Sequence, residues 1–184
     1  MMPGQEFVLA DWAIIHFTEN PGMAFGFEFG GIWGKLTLGI FRILTVGFII
    51  YWLRSLIKKE AKPVALTAVS LILAGAIGNI LDSAVYGLMF DSGTVWNAEA
   101  GRWETYYNQI SELNFEGYAG FMQGCVVDMF YFPLFKGYLP EWLPLWGGDY
   151  FVFFRPIFNL ADAAISVGVG LLILFQKTVF GEEK

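Results

Sequence analysis

A single cysteine, Cys125, and a single histidine, His16, are all that this chain holds of the two most versatile metal-binding side chains. One thiol excludes an intramolecular disulfide framework and a multi-thiolate metal site, and one imidazole argues against a His-rich metal centre. Cations are scarce as well: 11 Lys and Arg face 17 Asp and Glu, for a formal charge of −6. Nucleic acid is therefore not an expected partner, because phosphate binding needs a basic face. Nor do residues 1–7 resemble a signal peptide, being short, polar and acidic, with no basic region leading into an apolar core. What the chain has in excess is apolar character. Its 184 residues are 56% hydrophobic with a mean hydropathy of +0.54, against roughly 45–50% apolar residues in an ordinary soluble domain. It reads as a membrane protein.

Crossing a bilayer takes about 20 mostly apolar residues, within a range of roughly 17–25. Segments 35–53, 63–81 and 158–175 approach that length and are the expected spans. The short link between the first two carries Arg54, Lys58, Lys59 and Lys62, whereas the long connection 82–157 carries only Arg102, Lys136 and Arg155 among many acids. The excess of cations places the short link in the cytoplasm, with the long connection and the amino-terminal segment outside. Residues 1–34 mix β-branched and aromatic side chains around the turn signal Asn20-Pro21-Gly22, which predicts a small extracytoplasmic β element. The long outer loop is rich in Trp, Tyr and Phe, side chains suited to the membrane interface. The expected architecture is a mainly α membrane protein, a single domain of transmembrane helices with this β element and loop outside.

Polar residues then collect at one membrane face. Asn79 and Asp82 end the second expected span, and Asn159 and Asp162 begin the third. Asp128 lies in "GCVVDMFYF", where flanking Val126, Val127, Met129 and Phe130 predict partial desolvation and a carboxyl able to hold a proton. Two such acids brought together tend to share one proton, which gives a base and an acid in one site, able to activate water against a peptide carbonyl. Capping of a helix explains an Asp at its start equally well. Cys125 with His16 forms a conceivable thiol and base, though nothing in the sequence places them together. Arg42, inside the first span, can snorkel, bind a lipid headgroup or pair with an acid. The glycines of "AGAIGN" and "SVGVG" predict close helix approach.

Four ordered motifs carry a resemblance. "ENPGMAFGF" resembles the asparagine–glycine–alanine–phenylalanine segment of the lipoprotein signal peptidases (signal peptidase II); "GAIGNILDS" resembles their glycine-asparagine-x-x-aspartate motif; "VVDMFYF" and "FNLADAAI" resemble their two catalytic-aspartate motifs. With Ser83 and the extended outer loop, the pattern is most similar to versions from the Bacteroidetes lineage. The resemblance implies an aspartic endopeptidase that removes the signal peptide from diacylglyceryl-modified prolipoproteins just before the lipidated cysteine, without metal or organic cofactor. It implies Asp128 and Asp162 as the catalytic dyad, and Asn20, Asn79, Asp82 and Asn159 as polar residues supporting the dyad or substrate. Gly22, Met23, Ala24 and Phe25 fall in the substrate-cradling segment. The implied setting is the bacterial inner membrane, multi-pass and in contact with membrane lipid, with the site at the periplasmic face.

Two features depart from the family pattern. The family has four spans, with a further aspartate and lysine on the first, and this chain opens after where that helix is expected to end. Many members also carry arginine where this chain has Ser83, so that its support role is either lost or moved, with Arg102 or Arg155 of the outer loop as candidates to replace it. The competing readings are a small transporter or channel subunit using Asp82, Asp128 and Asp162, and a structural membrane protein whose acids only cap helices.

Overall fold

The computed structural model describes residues 2–22 and 30–180. Two long helices dominate it, α1 (Gly31–Lys58) and α2 (Pro63–Met89), followed much later in the chain by α3 (Leu160–Leu174) and the short α4 (Gln176–Phe180). Both α1 and α2 are long and apolar enough to cross a membrane. Pro63 opens α2 at the position where a missing N–H costs nothing. On α1 the large side chains Ile40, Phe41, Leu44, Phe48 and Tyr51 are exposed. In water that would be a liability; against hydrocarbon it is the expected face of a lipid-bathed helix.

Both long helices overrun the expected spans. Helix α2 continues through Asp82 and Ser83 to Met89, so Asp82 lies inside it and not at its end. The third helix starts at Leu160, because Phe158 pairs in a strand; its 15 residues give about 22 Å. Helix also begins at Gly31, so the last residues of the expected β element, 31–34, belong to α1.

Helices α2 and α3 pack through glycine. A side chain at Gly75 would run into the Ala161 backbone, and a Cβ at Gly168 would lie 2.6 Å from the Ala68 carbonyl oxygen. A Cβ at Gly78 would lie 3.2 Å from the Ala161 methyl. Ala65, Ala68 and Val69 fill the seam, each no more than 1% exposed. The reading of "AGAIGN" as a close-approach surface holds, whereas of the "SVGVG" pair only Gly168 is tight: Gly170 faces open space.

At one end of the helices lies a four-stranded antiparallel sheet in the order β1 (Glu6–Ala10), β2 (Ala13–Asn20), β5 (Val126–Tyr131), β8 (Ile157–Phe158). Thr18 sits opposite Asp128, and Phe130 opposite Phe158. Two hairpins stand apart from it: β3 (Val95–Asn97) with β4 (Arg102–Glu104), and β6 (Phe135–Tyr138) with β7 (Tyr150–Phe153).

The connection from α2 to β5 is not a free loop. Backbone N–H groups of Phe115, Tyr118 and Ala119 donate to the carbonyls of Met89, Phe90 and Gly87, and Gly124 N–H donates to Ser83. Gly87, Met89 and Phe90 lie at the end of α2, where carbonyls are left without intrahelical partners, so the connection serves as the C-terminal cap of α2, and Gly124 fastens it again further in, at Ser83. Its β3–β4 hairpin reaches α1, where Lys35 Nζ lies 4.9 Å from the Trp103 ring centroid, and where a side chain at Gly31 would collide with Trp96. The buried Lys35 ammonium also lies 3.5 Å from Cys125 Sγ.

Gly75→Ala and Gly168→Ala should each lower thermal stability in detergent micelles by the equivalent of about 1–3 kcal/mol, the usual cost of overpacking. Gly47→Ala, on α1 with nothing within 4 Å of a new methyl, should leave the melting temperature unchanged or slightly raised.

Candidate active site

Helix α3 begins with a reciprocal cap. Asn159 Oδ1 accepts from the Asp162 backbone N–H at 2.9 Å, and Asp162 Oδ2 accepts from the Asn159 N–H at 3.4 Å. The capping role considered for Asp162 is therefore real, but it occupies one carboxylate oxygen only. The other, Oδ1, accepts from Asn79 Nδ2 at 2.9 Å across the α2–α3 seam.

Because its oxygen is committed to the helix, Asn159 must present its amide nitrogen elsewhere. That Nδ2 donates to Asp128 Oδ1 at 2.9 Å and to Asn79 Oδ1 at 3.1 Å. The second oxygen of Asp128 accepts from Asn20 Nδ2 at 3.3 Å, and Asn20 in turn is oriented by Gly22, whose N–H donates to Asn20 Oδ1 at 2.9 Å. Backbone groups thus fix both amides that address Asp128. The result is a continuous chain from Asn20 through Asp128, Asn159 and Asn79 to Asp162, drawn from β2, β5, α2 and α3.

Asp82 stands beside this chain. Its carboxylate feels the Val127 N–H, from the strand residue preceding Asp128, and the Tyr86 hydroxyl one turn on along α2. Asp128 and Asn159 are each only 5% exposed. Burial, reinforced by the negative charge of Asp162, pushes the Asp128 carboxyl up to about 6; the amides of Asn20 and Asn159 pull the other way. This carboxyl can hold a proton at a pH where an ordinary aspartate cannot.

A cavity of about 640 Å³ lies against the cluster, lined among others by Gly75, Asp82, Tyr86, Val127, Met129 and Asn159. Its walls are mainly apolar. Val127 and Met129 reach it from one face of β5, and alternation along the strand turns Asp128 to the other. The cavity and the acids meet at Asn159, and the lining includes neither Asp128 nor Asp162.

Six of the expected polar residues, Asn20, Asn79, Asp82, Asp128, Asn159 and Asp162, are therefore brought together, with Gly22 behind Asn20. Met23, Ala24 and Phe25 lie outside the described residues. Cys125 and His16 are apart. The His16 ring pairs with Glu6 at 2.6 Å, while the fully buried Cys125 contacts Lys35 and donates to the Thr94 carbonyl at 3.4 Å. Burial pushes that thiol up to about 11, the opposite of an activated nucleophile. Arg102 and Arg155, expected as substitutes at Ser83, are not there: Arg102 is exposed beside Glu104, and Arg155 donates to the Tyr150 carbonyl. The guanidinium at Ser83 is that of Arg42, at 3.4 Å. Its sequence signal was a lone cation inside an apolar run, seven residues after Lys35 and hence on the same side of α1.

These features can be set beside known proteins. A family model for signal peptidase (SPase) II matches residues 1–178. The lipoprotein signal peptidase of Porphyromonas gingivalis is 49% identical over 183 residues, covering 97% of this chain and 74% of that protein. That of Amoebophilus asiaticus is 38% identical over 175 residues, covering 95% of this chain and 65% of its own length. Among solved structures, a bacterial membrane enzyme at 2.3 Å resolution superposes on all of this chain and 79% of its own with a TM-score of 0.54; at 23% identity this is a likeness of fold. The chain belongs to the signal peptidase II family of aspartic-type membrane proteases.

Proposed function

We propose that this protein cleaves the signal peptide from diacylglyceryl-modified prolipoproteins, just before the lipidated cysteine, with Asp128 and Asp162 as the catalytic pair. The observation that carries this reading is the amide chain joining the two acids, in which Asn159 Nδ2 donates to Asp128 and Asn79 Nδ2 to Asp162, both at 2.9 Å. Two carboxyls held by neutral donors in a buried site are placed to share one proton. The ionised member takes a proton from water as the oxygen attacks the scissile carbonyl carbon. The protonated member gives its proton to the carbonyl oxygen, forming a tetrahedral diol. Collapse of that diol breaks the C–N bond, and a carboxyl proton passes to the departing amine. Asn20, Asn79 and Asn159 set the carboxylate orientations, Asp82 holds β5 against α2, and Gly22 orients Asn20. The apolar cavity beside Asn159 suits an extended apolar peptide segment or a lipid chain next to the acids.

The same reading sets the topology. Helices α1, α2 and α3 are spans of the bacterial inner membrane, the basic link carrying Lys58, Lys59 and Lys62 is cytoplasmic, and the sheet with its acids is at the periplasmic face. A substrate whose lipid stays in the outer leaflet then meets the acids at that leaflet's edge. A cation pathway would need polar groups continuing along the bundle; here the seam below the acids is Ala65, Ala68 and Val69.

Purified full-length protein incubated with a lipid-modified prolipoprotein should release the signal peptide. Asp128→Asn and Asp162→Asn should each lower kcat by at least about 10²-fold, the lower end for a lost acid or base, and undiminished cleavage in either variant overturns the dyad. Cys125→Ser and thiol-directed reagents should leave cleavage intact, as a buried, protonated thiol bonded to Thr94 and Lys35 and outside the amide chain requires. With Asp128 pushed up to about 6, the pair keeps its shared proton below that pH and loses it above. The pH profile of kcat/KM should therefore fall as pH rises through about 6, and that of kcat should hold to a higher pH because bound substrate excludes more water.

A further inference from the structure

Helix α1 carries its arginine in the middle of "GIFRILTV", where a charge within the membrane costs several kcal/mol unless something answers it. Arg42 does not lie along the exposed face formed by Phe41, Leu44 and Phe48; it is half-buried. Its Nη1 donates to Ser83 Oγ at 3.4 Å, and Ser83 is only 6% exposed. Ser83 stands four residues after Asn79, one turn along the same face of α2, and the Asn79 amide is 2.9 Å from Asp162. The guanidinium thus stands on Ser83, one turn of α2 from the Asn79 that holds Asp162. Asp162 and Asp128 are the acids whose charge reaches it.

The surrounding charges leave it a specific task. From α2 the site receives Asp82 and Tyr86, from α3 Asp162, from β5 Asp128 and from β2 Glu19. The other buried cation of α1, Lys35, is engaged with Cys125 and the Trp103 ring, while Glu19 accepts from the Thr94 N–H. Among the described residues, Arg42 is then the cation left to answer an acid pair that must carry one negative charge away from water. On the reading of Asp128 and Asp162 as the dyad, we propose that Arg42 is its counter-ion, a positioning residue aimed by the Ser83 hydroxyl. The serine matters because guanidinium offers only donors, so an acceptor on α2 is what holds the charge near the acids instead of letting it slide toward either end of α1.

The test uses the full chain in lipid nanodiscs with a synthetic diacylglyceryl lipopeptide spanning the cleavage site. The pH profile is read for wild type, Arg42→Gln, Arg42→Lys and the exchanged double variant Arg42→Ser with Ser83→Arg. A positive charge beside a carboxylate favours its ionised form, so removing it moves both limbs of the profile upward, by about one pH unit. Arg42→Gln should show that displacement, with about a tenfold loss on the acid limb, a later fall on the alkaline limb and KM within about twofold of wild type. Arg42→Lys and the exchanged variant should return both limbs to within about 0.3 unit of wild type, whatever their maximal rate. Limbs that stay in place in a folded Arg42→Gln protein, or a change confined to KM, overturn the proposal. Where Arg42→Gln does not fold, the exchanged variant decides: a profile displaced upward despite the arginine at position 83 overturns the counter-ion role, and a restored one supports it. Undiminished cleavage by Asp128→Asn or Asp162→Asn would instead remove the dyad reading on which this rests.

Discussion

The side-chain amide of Asn159 carries the geometry of the site. An asparagine amide has one acceptor and one two-proton donor end. Once the backbone of α3 has taken the acceptor, the donor end has a fixed direction, and the two acceptors within reach are the Asp128 carboxylate and the Asn79 carbonyl. Helix start, acid placement and the α2–α3 seam are thereby decided by one residue. Loss of the cap would move not only the first turn of α3 but also the carboxylate of a strand 31 residues earlier in the chain. This is why the two readings of the acids, as caps or as chemistry, are not alternatives. A group that caps with one end can serve a reaction with the other, provided that every donor and acceptor around it is spoken for.

Much of the site was legible because its residues are locally anomalous. Asn79, Asp82, Asn159 and Asp162 are polar islands in or beside apolar helices, and Asp128 is an acid in a run of Val, Met and Phe; each raises a solvation cost that invites a question. Helix boundaries were less legible. Hydropathy reports where polarity changes, and Asp82 looked like an end, whereas the ladder of α2 continues to Met89 because the connection supplies donors for its last carbonyls. Those contacts span tens of residues and leave no periodic trace. The same holds for Lys35: at the start of the expected span it resembled an ordinary flanking cation, and only the hairpin packed over it makes it a buried ammonium against a thiol and an indole. For Arg42 the sequence left snorkelling, a lipid headgroup and an acid partner all open, since its partner Ser83 lies on another helix and a serine carries no charge to match.

The long connection between α2 and β5 gains a structural meaning from these contacts. It closes the end of α2, covers the outer part of α1, and contributes Ser111 and Tyr118 to the cavity wall. Cys125 sits at the junction, its N–H donating to the Tyr118 hydroxyl at 2.8 Å and its sulfur to Thr94. Strand β5 follows immediately, so Asp128 is three residues from a point held on several sides. On the proposed dyad, rigidity delivered to the Asp128 carboxylate through the strand that follows this segment is what a preorganised site requires.

The unequal lengths of the helices have a consequence for the lipid. On the proposed topology, α1 with 28 residues reaches about 42 Å and exceeds the roughly 30 Å of hydrocarbon, so it must tilt. Helix α3, at 15 residues, falls short of that thickness before the break at Phe175 that separates it from α4, and thinning of the bilayer is one way a short span is met. The two demands meet at the mouth of α3, where Asp162 and Asn159 stand. Acyl chains there would be drawn down and headgroups would follow, so a carboxylate pair seated at the end of a short helix would have water nearby without leaving the membrane. The hydrophobic mismatch would bring the hydrolytic water and the lipid-anchored peptide to the same depth.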